Sequence, residues 1–88
     1  MASYKILFKP SVEKDLATLP KGTGQRAIGA IEALRENPFP ANSLKLSGAE
    51  KLYRIRVGDY RIVYEIDAAS KLIVIHYVRH RRDVYRSL

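Results

Sequence analysis

No cysteine occurs in the 88 residues. This excludes a disulfide framework and a thiolate metal site as reinforcement for the core. The two histidines, His76 and His80, form no zinc-ligand pattern, and no carboxylate cluster suggests a divalent cation. No metal and no cofactor are therefore expected. Long apolar runs are missing too. The longest, Leu72 to Val78, is interrupted by His76 and is far too short to span a bilayer. The amino terminus has no charged region followed by a hydrophobic stretch, so no secretory signal is read there. Repeats and low-complexity segments are also lacking. These gaps leave one small cytoplasmic domain, residues 1–88, with no membrane partner, as the expectation. A domain of this size buries only about 60–65% of its unfolded surface, so its stability has little margin.

Positive charge is abundant. Sixteen Lys and Arg face nine Asp and Glu, a net charge of +7. The excess is uneven: residues 1–50 hold seven basic against five acidic side chains, and residues 51–88 hold nine against four. Such a surplus suits an anionic partner, and its position directs attention to the second half of the chain.

Tyr4 to Lys9 alternates loosely and reads as a strand. Ser11 is a candidate N-cap for a helix in which Val12, Leu16 and Leu19 form an apolar stripe. Pro20 to Gly24 reads as a connection. A second helix is expected from Gln25 to about Glu36, with Ala27, Ile31 and Leu34 in the stripe and Ile28 widening it. Asn37-Pro38 stops that helix. Pro38 to Gly48 reads as a loop.

The segment YRIRVGDYRIVYEI, residues 53–66, is the most informative. Gly58-Asp59 is suited to a type II′ hairpin turn, which pairs Val57 with Tyr60, Arg56 with Arg61, Ile55 with Ile62 and Arg54 with Val63. One face then carries Tyr53, Ile55, Val57, Tyr60, Ile62 and Tyr64, and should pack on the helices. The opposite face carries Arg54, Arg56 and Arg61. Like charges directly opposite each other destabilise a sheet by some tenths of a kcal/mol. Such a face is either solvated, with Glu65 and Asp67 compensating, or neutralised by a bound anion. A further strand is expected over Leu72 to Val78, with His76 as a core-edge histidine. A short terminal helix is expected over residues 79–88. The run from Arg79 to Arg86 adds His80, Arg81, Arg82 and Tyr85 where the last strand ends, a usual place for catalytic groups.

The 53–66 segment, VRHRRDVY (78–85) and the Leu19-Pro20 junction resemble the RelE/ParE toxin superfamily along essentially the whole chain. The resemblance implies an α+β fold: an antiparallel-dominated twisted sheet of about four strands on a helical hairpin, with a short C-terminal helix. For RelE-type members it implies metal-independent cleavage of messenger RNA in the ribosomal A site. For ParE-like members it implies inhibition of DNA gyrase without RNA chemistry, and a degenerate toxin would keep only the binding of antitoxin and operator DNA. By motif, Arg61 and Arg81 fall at catalytic positions and Tyr85 at that of the terminal tyrosine. Arg54, Arg56, His80 and Arg82 fall at RNA-binding positions. The chain departs from the pattern at positions 54 and 56, where lysine is frequent, and at Arg79, where glycine is common. Arginine grips phosphate bidentately but is a poor proton shuttle. Tyr85 is thus the expected general base, Arg61 and Arg81 the stabilisers of the phosphorane, and His80 a candidate acid. The implied partners are an acidic RelB-like antitoxin, the ribosome with its messenger RNA, and operator DNA through the antitoxin complex alone.

Overall fold

The computed structural model describes residues 3–46 and 51–83. Its elements are β1 (Lys5–Phe8), α1 (Pro10–Ala17), α2 (Lys21–Ala33), β2 (Leu44–Lys45), β3 (Leu52–Val57), β4 (Tyr60–Asp67) and β5 (Leu72–His80). The strands form one sheet in the order β1-β5-β4-β3-β2. β1 runs parallel to β5, and all other neighbours are antiparallel.

The alternation of β3 and β4 decides which face the helices cover. Ile55, Val57, Ile62 and Tyr64 join Val12, Ala27, Ile31 and Leu34 in a single core, against which Leu16, Leu19, Tyr53 and Tyr60 pack. Each fully buried aliphatic side chain contributes about 1.5–3 kcal/mol of hydrophobic stabilisation. The hairpin register is the expected one at all four pairs. Gly58 sits at φ 59° while Asp59 stays at negative φ, as a glycine-first type II′ turn requires.

Several boundaries differ from the sequence reading. The first helix starts at Pro10, with Lys9 at the N-cap and Ser11 inside, because proline's fixed φ suits a first helical position. The second helix starts at Lys21, so residues 21–24 are not a connection. The Gly24 N–H donates to Pro20 O at 2.8 Å and closes the first turn despite two glycines. Burial of Ala27 and Ile31 outweighs the cost of those glycines, about 1 kcal/mol each. The helix ends at Ala33, and residues 34–36 tighten into i→i−3 bonds from Leu34, Arg35 and Glu36. Ile28 lies outside the apolar stripe, half exposed. The loop before β3 contains the two-residue strand β2, too short to leave a periodic signature.

β5 runs two residues beyond the expected Val78. Its end pairs with the start of β4, His80 with Tyr60 and Arg79 with Arg61, which holds both residues in the sheet rather than in a terminal helix. Residues 81–83 form a turn closed by the Asp83 N–H donating to His80 O at 2.8 Å. The rest of the expected terminal helix lies outside the described residues. Because β1 is short, β5 loses its parallel partner after Ile75. The Asp15 carboxylate of α1 takes over there, accepting the Val78 N–H at 3.0 Å.

Candidate functional site

The face of the sheet away from the helices is built by β3, β4 and β5. Arg56 stands opposite Arg61, and Arg61 stands opposite Arg79. Three arginines therefore form a transverse row across three adjacent strands. Arg54 lies in the next row, opposite Val63, which in turn faces Tyr77.

Arg79 owes its place to a β-bulge. Val63 pairs with Tyr77, but the next residue, Tyr64, pairs with Ile75. One extra residue, His76, is thus inserted in β5. Strict alternation from Ile73 and Ile75 would send Tyr77 and Arg79 toward the helices and Val78 outward. The inserted residue reverses this: Val78 is buried at 3% exposure, and Tyr77 and Arg79 join the arginine face. Bulges commonly re-aim side chains in this way beside functional sites. His76 itself, expected at the core edge, lies half-buried with Nε2 3.1 Å from Glu65 Oε1.

The guanidinium groups are held in several ways. Arg61 folds toward the hairpin turn and donates through Nη1 to the carbonyls of Gly58 at 3.3 Å and Tyr60 at 3.1 Å. Arg79 lies over the Tyr77 ring, 4.5 Å from its centroid, a cation–π contact. The Nε atoms of Arg54 and Arg61 are shielded from solvent. Burial raises the Tyr77 phenol above its ordinary pKa, against a smaller opposing pull from Arg79.

Arg81 lies at the same end of the sheet as the hairpin turn. Its backbone N–H donates to Asp59 O at 2.7 Å, and its Nε stands 4.0 Å from the Asp59 carboxylate. With the side chains 64% and 70% exposed, that ion pair is weak and easily exchanged for another anion. Arg82 is exposed in the following turn. His80 turns to the other side of the sheet, its ring edge-to-face with Tyr60 at 5.4 Å and its Nδ1 3.4 Å from the Arg82 backbone nitrogen. The structure thus brings Arg54, Arg56 and Arg61 onto one face and Arg81 to its end, and separates His80 from them. Tyr85 lies outside the described residues.

The loop between α2 and β2 also borders the site, which nothing in its own sequence pattern announces. The Tyr64 hydroxyl, on a fully buried side chain, donates to Pro38 O at 2.9 Å. Burial pushes that phenol up to about 12. Phe39 packs edge-on against Tyr53 at 5.3 Å, and Tyr53 stacks on Tyr64 at 6.1 Å. Anchored by these rings, the loop presents Asn42, whose Nδ2 donates to Arg56 O at 3.3 Å. Residues 41–44 with Arg54 and Arg56 line a cleft of about 260 Å³. Two features were missed from sequence, this loop wall and the place of Arg79. The second left one trace: Ile75 and Val78, both core types, stand three residues apart, an odd spacing that signals an inserted residue.

A helical hairpin under one face of such a sheet is the architecture of RelE toxins. The crystal structure of an archaeal RelE–RelB complex from Pyrococcus horikoshii OT3 matches with TM-score 0.81 and 32% identity, over 90% of this chain and 96% of that one. The model of the ParE toxin of type II toxin-antitoxin systems, parDE, matches residues 6–85, and the chain belongs to this family within the RelE/ParE superfamily. It is a toxin of a type II toxin-antitoxin system. Two relatives come from Methanocaldococcus jannaschii. Toxin RelE3 is 36% identical over 86 residues, covering 92% of this chain and 94% of its own length. Putative toxin RelE1 is 30% identical over 87 residues, covering 96% and 97%. Among the described residues, no helix is long and apolar enough to cross a membrane.

Proposed function

We propose that this toxin cuts messenger RNA in the ribosomal A site, using the arginine face to hold the chain and stabilise the cleavage transition state. The observation that carries the reading is the transverse row of Arg56, Arg61 and Arg79, with Arg54 beside it and Arg81 at the end of the sheet. Like charges set opposite one another oppose folding. A polyanion relieves that repulsion, and bidentate guanidinium–phosphate contacts add to it.

Cleavage proceeds by attack of a ribose 2′-oxygen on the adjacent phosphorus. The P–O5′ bond breaks, leaving a 2′,3′-cyclic phosphate and a free 5′-hydroxyl. Three tasks follow: removal of the 2′-proton, neutralisation of the phosphorane, and protonation of the departing 5′-oxygen. Arg61 and Arg81 neutralise the phosphorane. Arg54, Arg56 and Arg82 hold the flanking backbone. Arginine stays protonated throughout, so proton removal falls to Tyr85, and the acid is supplied from outside the arginine row. The partner that restrains the toxin is an acidic RelB-like antitoxin covering this face, and operator DNA is contacted only through that complex.

The test adds purified protein to translating ribosomes and maps messenger ends. Codon-associated cuts are expected, reduced about a hundredfold or more in Arg61→Ala and Arg81→Ala. The reading fails if no such cuts appear while Arg81→Ala and Tyr85→Phe remain as toxic as wild type. The ParE description of the matching family model favours a second reading, gyrase inhibition. Loss of supercoiling with intact messenger RNA would establish that alternative instead.

A further inference from the structure

The β3–β4 turn is approached by cations from three separate elements. Arg61 of β4 donates to Gly58 O from the open face, and Arg81, from beyond β5, sets its guanidinium Nε 4.0 Å from the Asp59 carboxylate. The third approach comes from the helix side. A Cβ built on Gly58 would stand 3.0 Å from Nη2 of Arg26 and 3.9 Å from its Cζ, so the α2 guanidinium lies directly against the turn. Gly58 is required there for its positive φ. Arg26 is exposed, and it forms no ion pair among the described residues. Its helical neighbours at i±3 and i±4 are Gly22, Thr23, Gly29 and Ala30, none of them acidic. Asp59, the only carboxylate of the turn, stands 4.0 Å from Arg81 Nε. A long cationic side chain lying against a tip that carries Arg61 and Arg81 brings two requirements of a phosphate contact, net positive charge and solvent access.

From this placement of Arg26 against Gly58, we infer that Arg26 is a further RNA-binding residue. It grips a phosphodiester flanking the one held by Arg61 and Arg81, where the strand passes over the hairpin tip from the open face toward α2. The inference rests on the ribonuclease reading above and extends its site to the first half of the chain.

The experiment measures single-turnover messenger cleavage on programmed ribosomes against toxin concentration, at several salt concentrations, with the full chain. Arg26→Ala is expected to raise the half-saturating concentration roughly fivefold, leave the maximal rate within about twofold, and lower the salt slope by about 0.7, the share of one single-strand phosphate. Arg26→Lys, which keeps the cation, is expected to retain the slope. Arg35→Ala removes the same charge from the turn that follows α2, where it pairs with Glu32 at 2.6 Å, and should match wild type. If Arg26→Ala behaves like Arg35→Ala, or changes only the melting temperature or the maximal rate with the salt slope unmoved, the inference is overturned and the nuclease reading stands. If wild-type protein makes no cuts, both fall.

Discussion

The two faces of one sheet are held to opposite standards. On β3, Tyr53, Ile55 and Val57 close against helices while Arg54 and Arg56, one residue out of step, crowd positive charge on the other side. The covered face is closed by α1 and α2 over one apolar core. The open face sets Arg56, Arg61 and Arg79 opposite one another, a like-charge arrangement that adds nothing to folding. Stability and chemistry are therefore carried by alternate residues of the same strands, and single substitutions can separate them.

The largest effect is expected at Val78 of β5. Val78→Arg would place a charge at a buried site and should cost about 4 kcal/mol or more, abolishing cooperative thermal unfolding. A melt within a few degrees of wild type would show that Val78 does not face the core. A truncation on the covered face, Ile62→Ala, should cost about 2–5 kcal/mol in chemical denaturation.

Tyr64 adds a pH dependence to that face. Its phenol pKa is higher in the folded chain than the ordinary 10, pushed up to about 12 by burial. The folded state therefore holds the proton more tightly than the unfolded one. The associated stability is complete below pH 10 and is lost as pH rises toward 12, by roughly 2–3 kcal/mol at most. Tyr64→Phe should cost about 1 kcal/mol at neutral pH through the lost bond to Pro38. It should also lack that alkaline component, so denaturation of the two proteins at pH 8 and pH 11 checks both effects. Parallel alkaline losses would mean that the phenol is not desolvated.

The smallest stability effect belongs to the open face. Arg56→Ala should change unfolding free energy by only about 0.5 kcal/mol, toward greater stability because a facing like charge is removed. Messenger cleavage should fall at the same time. A substantial loss of stability would show that Arg56 supports the fold, and the contrast between faces would lose its clearest case.

The hairpin could be read from residues 53–66 because period-two alternation and a glycine-first turn fix a register without help from the rest of the chain. The three arginines of that face followed from the register. Arg79 did not, because the apolar run from Leu72 to Val78 hides which residues face which way, and the bulge is visible only when β5 is laid against β4. The start of α2 was obscured because Gly22 and Gly24 argue locally for a break that tertiary burial overrides. Nothing local links Arg26 to Gly58, 32 positions later, since their meeting depends on how α2 lies across the sheet. Covered apolar structure announces itself through periodicity. Polar side chains gathered from distant elements leave no such trace.

The supernumerary His76 has a consequence for how the gene can vary. Upstream of it a codon is judged by whether it fills space, and downstream the same phase is judged by charge. Gain or loss of one codon within this strand would exchange those demands for the described positions beyond it. Length, more than composition, is what this stretch is least free to alter.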